Sequence, residues 1–380
     1  MIAARGTTTT AEIESHRGNA VEWHAELPGS AGPIAIGGDA VIVSLSAKGA
    51  TALPPGPPLA LRGEPGAAIV ALDARTGAPR WRLAFDATEW AVITAVAADP
   101  TSIVVAGSFS GTLRAATTVV SSAGKSDGFV ARIAADGTLV WLVRVGGPGA
   151  DAIVGAALSH DRIAIAGTFT AGADIRGVPL HATDEKSPFG DGFVASLDLT
   201  GAHLWSQSFG GKRDDTVAGV AIDSKGRVAV AATFRDAARV GTTDYTANGP
   251  ADGLVFWLSP AGEVGATTLI GGTDFDGLRA IAAVDDRMVV GGFFAGTLPL
   301  AKHAITATGG DDAFLATINS AGELESTWHI AGPGREEITA LSSIPGGFVA
   351  GIAHSAAATI DDDHLPAPSD PTSGAALLQR

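Results

Sequence analysis

The sequence predicts an all-β fold: a single closed β-propeller of about six four-stranded blades. Three observations support this prediction. A block of about 60 residues recurs along the chain, each block contains four strand-like segments, and the two chain ends complement each other. The composition agrees, because 50 glycines and an apolar fraction of 46% suit short strands and tight turns better than long helices.

The recurring block opens on the motif Asp-Gly-Phe-Val-Ala. Full or altered copies begin at Asp127, Asp191, Asp252 and Asp312, an earlier copy without the Asp begins at Ala68, and a truncated copy begins at Ala375. The four copies that start with Asp follow one another at intervals of 64, 61 and 60 residues. A fixed period of this length is typical of propellers and other repeat architectures.

Each block reads as four short antiparallel strands. In one copy, Phe129 to Ile133 and Leu139 to Val145 flank an Asp-Gly turn, which is a strong hairpin signal. Ile153 to Leu158 and Arg162 to Phe169 form the next pair, and a polar connector of about twenty residues leads to the following block. The innermost strands are predicted at 34–36, 93–96, 153–158, 217–222, 278–282 and 338–341.

The chain ends indicate how the ring closes. Val21 to Leu27 matches the outer strand of a block, and Ala376 to Gln379 matches the strand that precedes it, so each end lacks a partner that the other supplies. Pairing them completes the last blade and removes two sheet edges. Residues 1–20 are therefore expected to be a flexible N-terminal tail, and residues 21–380 a six-bladed propeller.

Tryptophans recur at one position of the repeat. The set is Trp23, Trp81, Trp141 and Trp205, with Ala266 in the fifth copy and Trp328 two residues late in the sixth. A large ring repeated at one register is expected to fill the space between neighbouring blades.

Composition also limits the partners. The formal net charge of −15 argues against nucleic acid and anionic membrane surfaces. The chain has no cysteine, which excludes disulfides and thiolate metal sites. No apolar run approaches the ~18 residues of a membrane-spanning helix, and residues 1–18 lack the apolar segment of a signal peptide. We expect either an exported protein whose signal is absent from this sequence or a cytoplasmic one.

Several stretches of the repeat also carry a family resemblance. They are 309–316, Asp191–Ala195, Gly201–Ser206, 106–113 and 291–298. These stretches resemble bacterial SBBP-type β-propeller repeats, which are common in large exported proteins of myxobacteria and their relatives, and the resemblance covers nearly all of residues 21–380. It implies a propeller scaffold without a shared active site, located in the extracellular space, in the periplasm or on the cell surface.

A partial ring of acidic residues is the best chemical candidate. Asp151, Asp215, Asp276 and Glu337 are assigned to one position just before the innermost strand, and Asp214 and Glu336 precede two of them. On the axial face of a propeller these carboxylates would converge and hold Ca²⁺ or attract a basic peptide. The alternative is that each one caps backbone N–H groups in its own turn. The Asp that opens each block is expected to tie the preceding connector to its blade.

The connectors contain further candidates. Asp361, Asp363 and His364 belong to an acidic run that suggests either a metal or a solvated loop. His181 and His303 occupy similar places in two connectors, where Arg279, Lys212 and Arg213 would help to line a pocket.

No linear catalytic motif is found. The chain contains neither His-Glu-x-x-His nor Gly-x-Ser-x-Gly, and no catalytic or cofactor-binding residue is predicted. The predicted function is a non-enzymatic binding scaffold that presents its connectors to a protein or glycan. Two alternatives stay open: a metal-dependent hydrolase or lyase with a carboxylate-lined axial site, and a structural subunit of a surface assembly. The connectors are 46–66, 110–126, 170–190, 235–251, 295–311 and 353–374.

Overall fold

The computed structural model of the 380-residue chain describes residues 2–6, 10–17, 20–170, 172–183, 189–300, 303–344, 346–360, 363–365 and 375–379. All regular secondary structure in these ranges is β-strand, which confirms the all-β prediction. The chain divides into two compact units. Unit 1 is Met1–His181 with Ser196–Leu204, and unit 2 is Ala182–Ala195 with Trp205–Arg380.

Seventeen strands lie wholly in unit 1. They are β1 Ile2–Gly6, β2 Thr10–Arg17, β3 Ala20–Pro28, β4 Ser30–Gly37, β5 Ala40–Thr51, β6 Leu59–Asp73, β7 Pro79–Ala87, β8 Trp90–Ala98, β9 Ser102–Ser110, β10 Thr112–Ala115, β11 Thr118–Ser121, β12 Asp127–Ala134, β13 Leu139–Gly146, β14 Ala152–Leu158, β15 Arg162–Phe169, β16 Asp174–Ile175 and β17 Val178–Pro179. All of their pairings are antiparallel. They form the arrays β4-β5-β6-β7-β10-β11 and β8-β9-β12-β13-β16-β17, the pair β14-β15 and the small sheet β1-β2-β3.

The remaining strands complete unit 2. β18 Asp191–Asp198 and β19 His203–Gly211 contribute residues to both units. The others are β20 Thr216–Ile222, β21 Val228–Phe234, β22 Ala237–Val240, β23 Thr243–Thr246, β24 Asp252–Leu258, β25 Val264–Ile270, β26 Gly277–Val284, β27 Arg287–Phe294, β28 Thr297–Leu300, β29 His303–Thr306, β30 Asp312–Ile318, β31 Leu324–Ala331, β32 Glu336–Ile344, β33 Gly347–His354, β34 Ala358–Ile360, β35 Asp363–Leu365 and β36 Ala375–Gln379. Unit 2 contains the arrays β19-β22-β23, β20-β21-β24-β25, β26-β27-β30-β31-β34-β35, β28-β29 and β32-β33-β36.

The first strand of each repeat carries the same irregularity. All six predicted innermost segments lie within strands, namely β4, β8, β14, β20, β26 and β32. Each of these strands shifts register against its neighbour at the equivalent place, for example between Ile93 and Ala95 and between Ile153 and Gly155. A β-bulge at the equivalent position of six strands is a regular feature of the repeat, and it supports the predicted alignment of the copies.

The connectors differ from the prediction, because five of the six contain hairpins and are not open loops. β10-β11, β16-β17, β22-β23 and β34-β35 pair with the outermost strands β7, β13, β19 and β31. β28-β29 is a separate hairpin, and the first connector extends β5 and β6 as a longer ladder. A physical reason is that an outermost strand exposes unpaired backbone groups, which an added hairpin covers.

The two chain ends lie in three-stranded sheets. β36 pairs with β33 and is the third strand of an incomplete last repeat, as predicted for the truncated final copy. β3 pairs with β2 along one edge. The structure also places β1 and β2 within residues 1–20, where no strand was predicted.

Phenylalanines form much of the packing between strands. In unit 1, Phe85 of β7 stacks on Phe129 of β12 with ring centroids 5.2 Å apart, and Phe109 meets the same ring edge-on at 6.2 Å. In unit 2, Phe294 and Phe314 pack edge-on at 6.3 Å. These rings are fully buried, so the core lies between successive sheets, as the repeat pattern requires.

The repeated tryptophans link each repeat to a turn of the next one. Trp81 Nε1 donates to Ala135 O at 2.9 Å, and a Cβ built on Gly137 in that turn would lie only 2.6 Å from the indole ring. Equivalent bonds join Trp23 to Ala74, Trp141 to Leu199 and Trp205 to Pro260 at 2.9, 3.0 and 3.0 Å. In the fifth copy, Thr268 Oγ1 donates to Gly322 O at 2.7 Å. The prediction that these tryptophans pack between neighbouring repeats is confirmed.

Candidate functional site

Four pairs of buried acidic residues recur along the chain. In each pair the first residue opens a strand and the second comes 24 residues later, just before or at the start of the next repeat's first strand. All eight are at most 3% exposed. The pairs are Asp127 with Asp151, Asp191 with Asp215, Asp252 with Asp276, and Asp312 with Glu336.

The first member of each pair fastens the connector before it. Asp127 Oδ2 accepts from Ala123 N at 2.8 Å, Asp252 Oδ2 from Asn248 N at 2.7 Å, and Asp312 Oδ2 from Thr308 N at 3.1 Å. Asp191 Oδ2 likewise accepts from Thr183 N and, at 2.8 Å, from its hydroxyl. The predicted tie between connector and blade is therefore present.

In the first three pairs, the second member accepts hydrogen bonds from backbone N–H groups. Asp151 Oδ2 accepts from Gly147 N at 2.6 Å and Oδ1 from Thr170 N at 2.7 Å. Asp276 repeats this arrangement with Gly272 N at 2.6 Å and Ala295 N at 3.2 Å. Asp215 Oδ2 accepts from Gly211 N at 2.8 Å. Of the two interpretations of the acidic ring, this geometry matches backbone capping.

Glu336, and not Glu337, occupies the repeated position in the last copy. Glu336 is 1% exposed, and neither of its carboxylate oxygens has a hydrogen-bond partner in the described chain. Glu337 projects toward solvent and pairs with Arg279, 3.3 Å away. The alignment error arose because two glutamates are adjacent; the constant spacing of 24 residues from the Asp that opens the block identifies Glu336, as its burial does. Asp214, beside Asp215, is exposed.

Burial dominates the electrostatics of the pairs. Together with the smaller effect of the neighbouring carboxylate, it raises the pKa of Asp215 to about 7, of Asp276 to about 6 and of Glu336 to about 7. Burial also raises the pKa of Asp151. In the part of the chain that the structure describes, no three His, Asp or Glu side chains are grouped closely enough to hold a metal ion.

Of the other predicted loop residues, His181 lies in unit 1, and His303 and Arg213 lie in unit 2. His303 lies on β29, exposed, 3.3 Å from Thr327 Oγ1, and His181 is exposed after β17. Arg213 pairs with Asp236 at 2.9 Å. The structure assigns Asp363 and His364 to β35 without describing their side chains, and Asp361 lies outside the described residues.

Sequence reasoning missed two open grooves in unit 1 that share Arg176. The larger, about 540 Å³, is lined by Trp141, Arg144 and Asp174 among others. The smaller, about 300 Å³, is lined by Val178, Thr200, Ala202 and His203. The grooves lie beside the outer strand β13 and its hairpin, whose two-residue turn holds Arg176 at a φ of +53°. No local sequence signal distinguishes this turn from the equivalent turns of other copies.

Of the two arginines that line the larger groove, one forms ion pairs with acidic side chains and the other does not in the described ranges. Arg144 donates to Asp127 at 3.0 Å and to Asp174 at 2.8 Å. Arg176 donates only to a carbonyl, Gly201 O, at 3.2 Å, and no ion pair of Arg176 is found in the described ranges. The groove thus presents an uncompensated cation in a chain of net charge −15.

Exposed aliphatic side chains lie on the strands around the grooves. Val140 is 48% exposed and Leu204 49%, and Val119 and Val178 on the outer hairpins are 43% and 38% exposed. Val140 and Leu204 share one position of the repeat, where three other copies carry Glu22, Arg80 and Glu325 and the fifth carries Gly265. Apolar residues in place of charged ones mark this surface as different from its counterparts.

Comparisons with known proteins identify folds only. No protein-family model and no curated protein matches the chain. Similar solved structures include BamB from Moraxella catarrhalis, with 14% identity, 92% of each chain covered and a TM-score of 0.44. The WD40 β-propeller domain of Doa1 has 11% identity over 90% of this chain and 83% of that chain, with a TM-score of 0.46. A quinohemoprotein alcohol dehydrogenase from Pseudomonas putida has 12% identity over 92% and 60%, with a TM-score of 0.45. None of these similarities assigns a function. Separately, the described residues contain no helix capable of crossing a membrane.

Proposed function

We propose that the chain is a closed six-bladed β-propeller of the SBBP-repeat type that acts outside the cytoplasm as a non-enzymatic binding scaffold for a protein partner. The observation that carries the binding role is the groove surface around Arg176 in unit 1, where an uncompensated guanidinium is flanked by exposed aliphatic side chains. The location outside the cytoplasm follows from the resemblance to exported repeat proteins.

Ring closure is supported by the role of β3. In unit 1, Trp81 on β7 and Trp141 on β13, each the fourth strand of its repeat, donate to a turn of the next repeat. Trp23 on β3 makes the same bond to Ala74 of the first repeat. β3 therefore acts as the fourth strand of a repeat that precedes the first one. The array β32-β33-β36 contains three strands in the repeat order and lacks a fourth, which β3 would supply.

The chemistry of the grooves favours an extended acidic peptide segment as the ligand. Arg176 offers donors for a carboxylate, and Val140 and Val178 offer apolar contacts. β17 is the outermost strand of its array, and a peptide strand can add to such an edge by main-chain hydrogen bonds. Burial lowers the pKa of His203 in the smaller groove, so this imidazole is neutral at pH 7 and does not compete for the anion.

The alternative of a metal-dependent hydrolase or lyase depended on converging carboxylates. Three of the four second-position acids direct oxygens at backbone N–H groups instead, as Asp151 and Asp276 do. Nothing in the geometry specifically favours a structural subunit of a surface assembly.

The test is selection of ligands on the purified protein from a displayed peptide library, run in parallel with a glycan array. We expect peptides that combine aliphatic residues with Asp or Glu. Arg176→Ala should weaken their binding about tenfold, which corresponds to about 1.4 kcal/mol. Arg239→Ala is the matched control, because Arg239 is an exposed arginine on an outer hairpin of unit 2. Binding that Arg176→Ala leaves unchanged, ligands found only among glycans, or cleavage of a bound ligand would each overturn the proposal.

A further inference from the structure

We propose that the buried carboxyl pairs hold a proton between their two members at mildly acidic pH, so that the folded chain loses stability as the pH rises through neutrality. This inference is independent of the proposed binding function.

In the first two pairs, one oxygen of each carboxyl group lies beside the same glycine. A Cβ built on Gly146 would lie 2.8 Å from both Asp127 Oδ1 and Asp151 Oδ2. A Cβ on Gly210 would lie 2.7 Å from Asp191 Oδ1 and 2.8 Å from Asp215 Oδ2. The glycine thus leaves a space into which one oxygen from each partner points.

Buried oxygens in this space lack a donor. Asp127 Oδ1 and Asp312 Oδ1 have no hydrogen-bond partner in the described chain, although both side chains are fully buried. The two oxygens of Glu336 are also without a partner there. Two ionised carboxylates cannot satisfy each other, whereas one carboxylic acid O–H can donate to the facing oxygen. A shared proton therefore supplies the donor that the protein does not.

The first repeat serves as an internal comparison. By strand register, the positions of Asp127, Gly146 and Asp151 are occupied there by Gly66, Asp86 and Ala91. Asp86 instead accepts from Arg62 Nε at 2.8 Å. Both acids are absent from this copy together with the glycine, whereas the fourth pair, Asp312 with Glu336, carries Ala331 at the glycine's position, so the glycine is not required for a pair.

Other charged groups face the pairs unequally. Arg144 donates to Asp127, and His329 Nε2 lies 2.7 Å from Asp312 Oδ2. At the equivalent position the other two copies carry Ser208 and Leu269, which supply no charge. The remaining charges acting on the pairs are acidic: Asp214 beside Asp215, and Asp274 beside Asp276. Protonation should therefore be most favourable in the pairs that contain Asp215 and Asp276.

The consequence is a pH dependence of fixed sign. Burial holds the pKa values of Asp215, Asp276 and Glu336 at about 7, 6 and 7 in the folded chain, above the values of about 4 expected after unfolding. The folded state then binds more protons between these limits. Its stabilisation is complete below pH ~4 and is lost as the pH rises through 6 and 7.

Asp127→Asn is the most informative variant. The Asn oxygen can keep the bonds to Ala123 N and Arg144, while its amide N–H₂ donates to Asp151 in place of the shared proton. Urea unfolding midpoints at pH 5 and pH 8 should differ clearly in the unmodified chain. The variant should show a smaller difference, because its amide N–H₂ supplies the donor that the shared proton otherwise provides. The matched control is Asp99→Asn, an acid that has no carboxyl partner and caps only its own turn.

Infrared spectroscopy gives a second readout that does not depend on stability. The folded chain at pH 5 should show the carbonyl band of protonated carboxylic acid, and the band should weaken in Asp127→Asn and not in Asp99→Asn. Absence of this band, equal pH dependence in both variants, or a stoichiometric metal that a chelator removes with loss of stability would overturn the proposal.

Discussion

The bond between each tryptophan and the next repeat gives a quantitative prediction for Trp81. Its ring is part-buried against the unit 1 core, its Nε1 donates to Ala135 O at 2.9 Å, and the ring covers Gly137. Trp81→Ala removes both the packing and the hydrogen bond. Fully buried Trp→Ala changes cost about 3–5 kcal/mol, so a part-exposed ring should cost about 2–4 kcal/mol.

Trp81→Phe separates the two contributions. Phe retains much of the apolar contact but cannot donate, so the loss should be about 1 kcal/mol, the usual net value of one hydrogen bond. The assay is equilibrium urea unfolding followed by circular dichroism, with the slope compared between variants so that a change in midpoint reports stability. A loss below about 0.5 kcal/mol for Trp81→Ala would refute the inference that this contact stabilises neighbouring repeats.

Three further predictions concern single positions. Gly137→Ala should destabilise the chain more than Gly177→Ala, although their φ angles are similar at +88° and +84°, because a new Cβ meets the indole ring at the first and nothing within 4 Å at the second; equal unfolding midpoints would contradict this. Thr268→Val keeps the side-chain volume but removes a 2.7 Å hydrogen bond, and should lower the free energy of unfolding by about 1 kcal/mol; an unchanged midpoint would mean that the bond contributes nothing. For His203, burial lowers the pKa, so its contribution to stability is present above pH ~6.5 and lost as the pH falls. His203→Leu should therefore be less sensitive to acid than the unmodified chain over pH 5–7, and equal sensitivity would argue against the buried neutral imidazole.

The strand pattern was readable from sequence because the copies reinforce one another. A single segment such as Ile153–Leu158 is ambiguous, but six segments of similar composition at one period are not. The outer hairpins were not recognised, since β16 and β17 contain only two residues each and carry no alternation. Their strand character comes from pairing to an exposed neighbour, which is a tertiary effect.

Some residues of the candidate sites were identified from the sequence, and others were not. The repeated acids were identified from sequence, but pairing Asp127 with Asp151 requires knowing that a strand start and the next repeat's turn meet beside Gly146. Glu336 could have been distinguished from Glu337 by its spacing of 24 residues from Asp312, which matches the spacing in the other three pairs. Arg176 was missed because it stands out only by having no ion pair in the described ranges. Ion pairing depends on neighbours in three dimensions and cannot be seen in the sequence.

Ring closure is the central claim, and a cysteine pair tests it directly, because the chain contains no other cysteine. Val130 of β12 pairs with Val143 of β13, and the matching positions in β36 and β3 are Leu377 and Ala25. The double variant Ala25→Cys, Leu377→Cys should form an intramolecular disulfide in the folded monomer on mild oxidation. Replacing the second change with Leu378→Cys turns that thiol to the opposite face of the strand and should abolish the bond. A folded monomer in which both introduced thiols of the double variant remain free after oxidation would contradict closure.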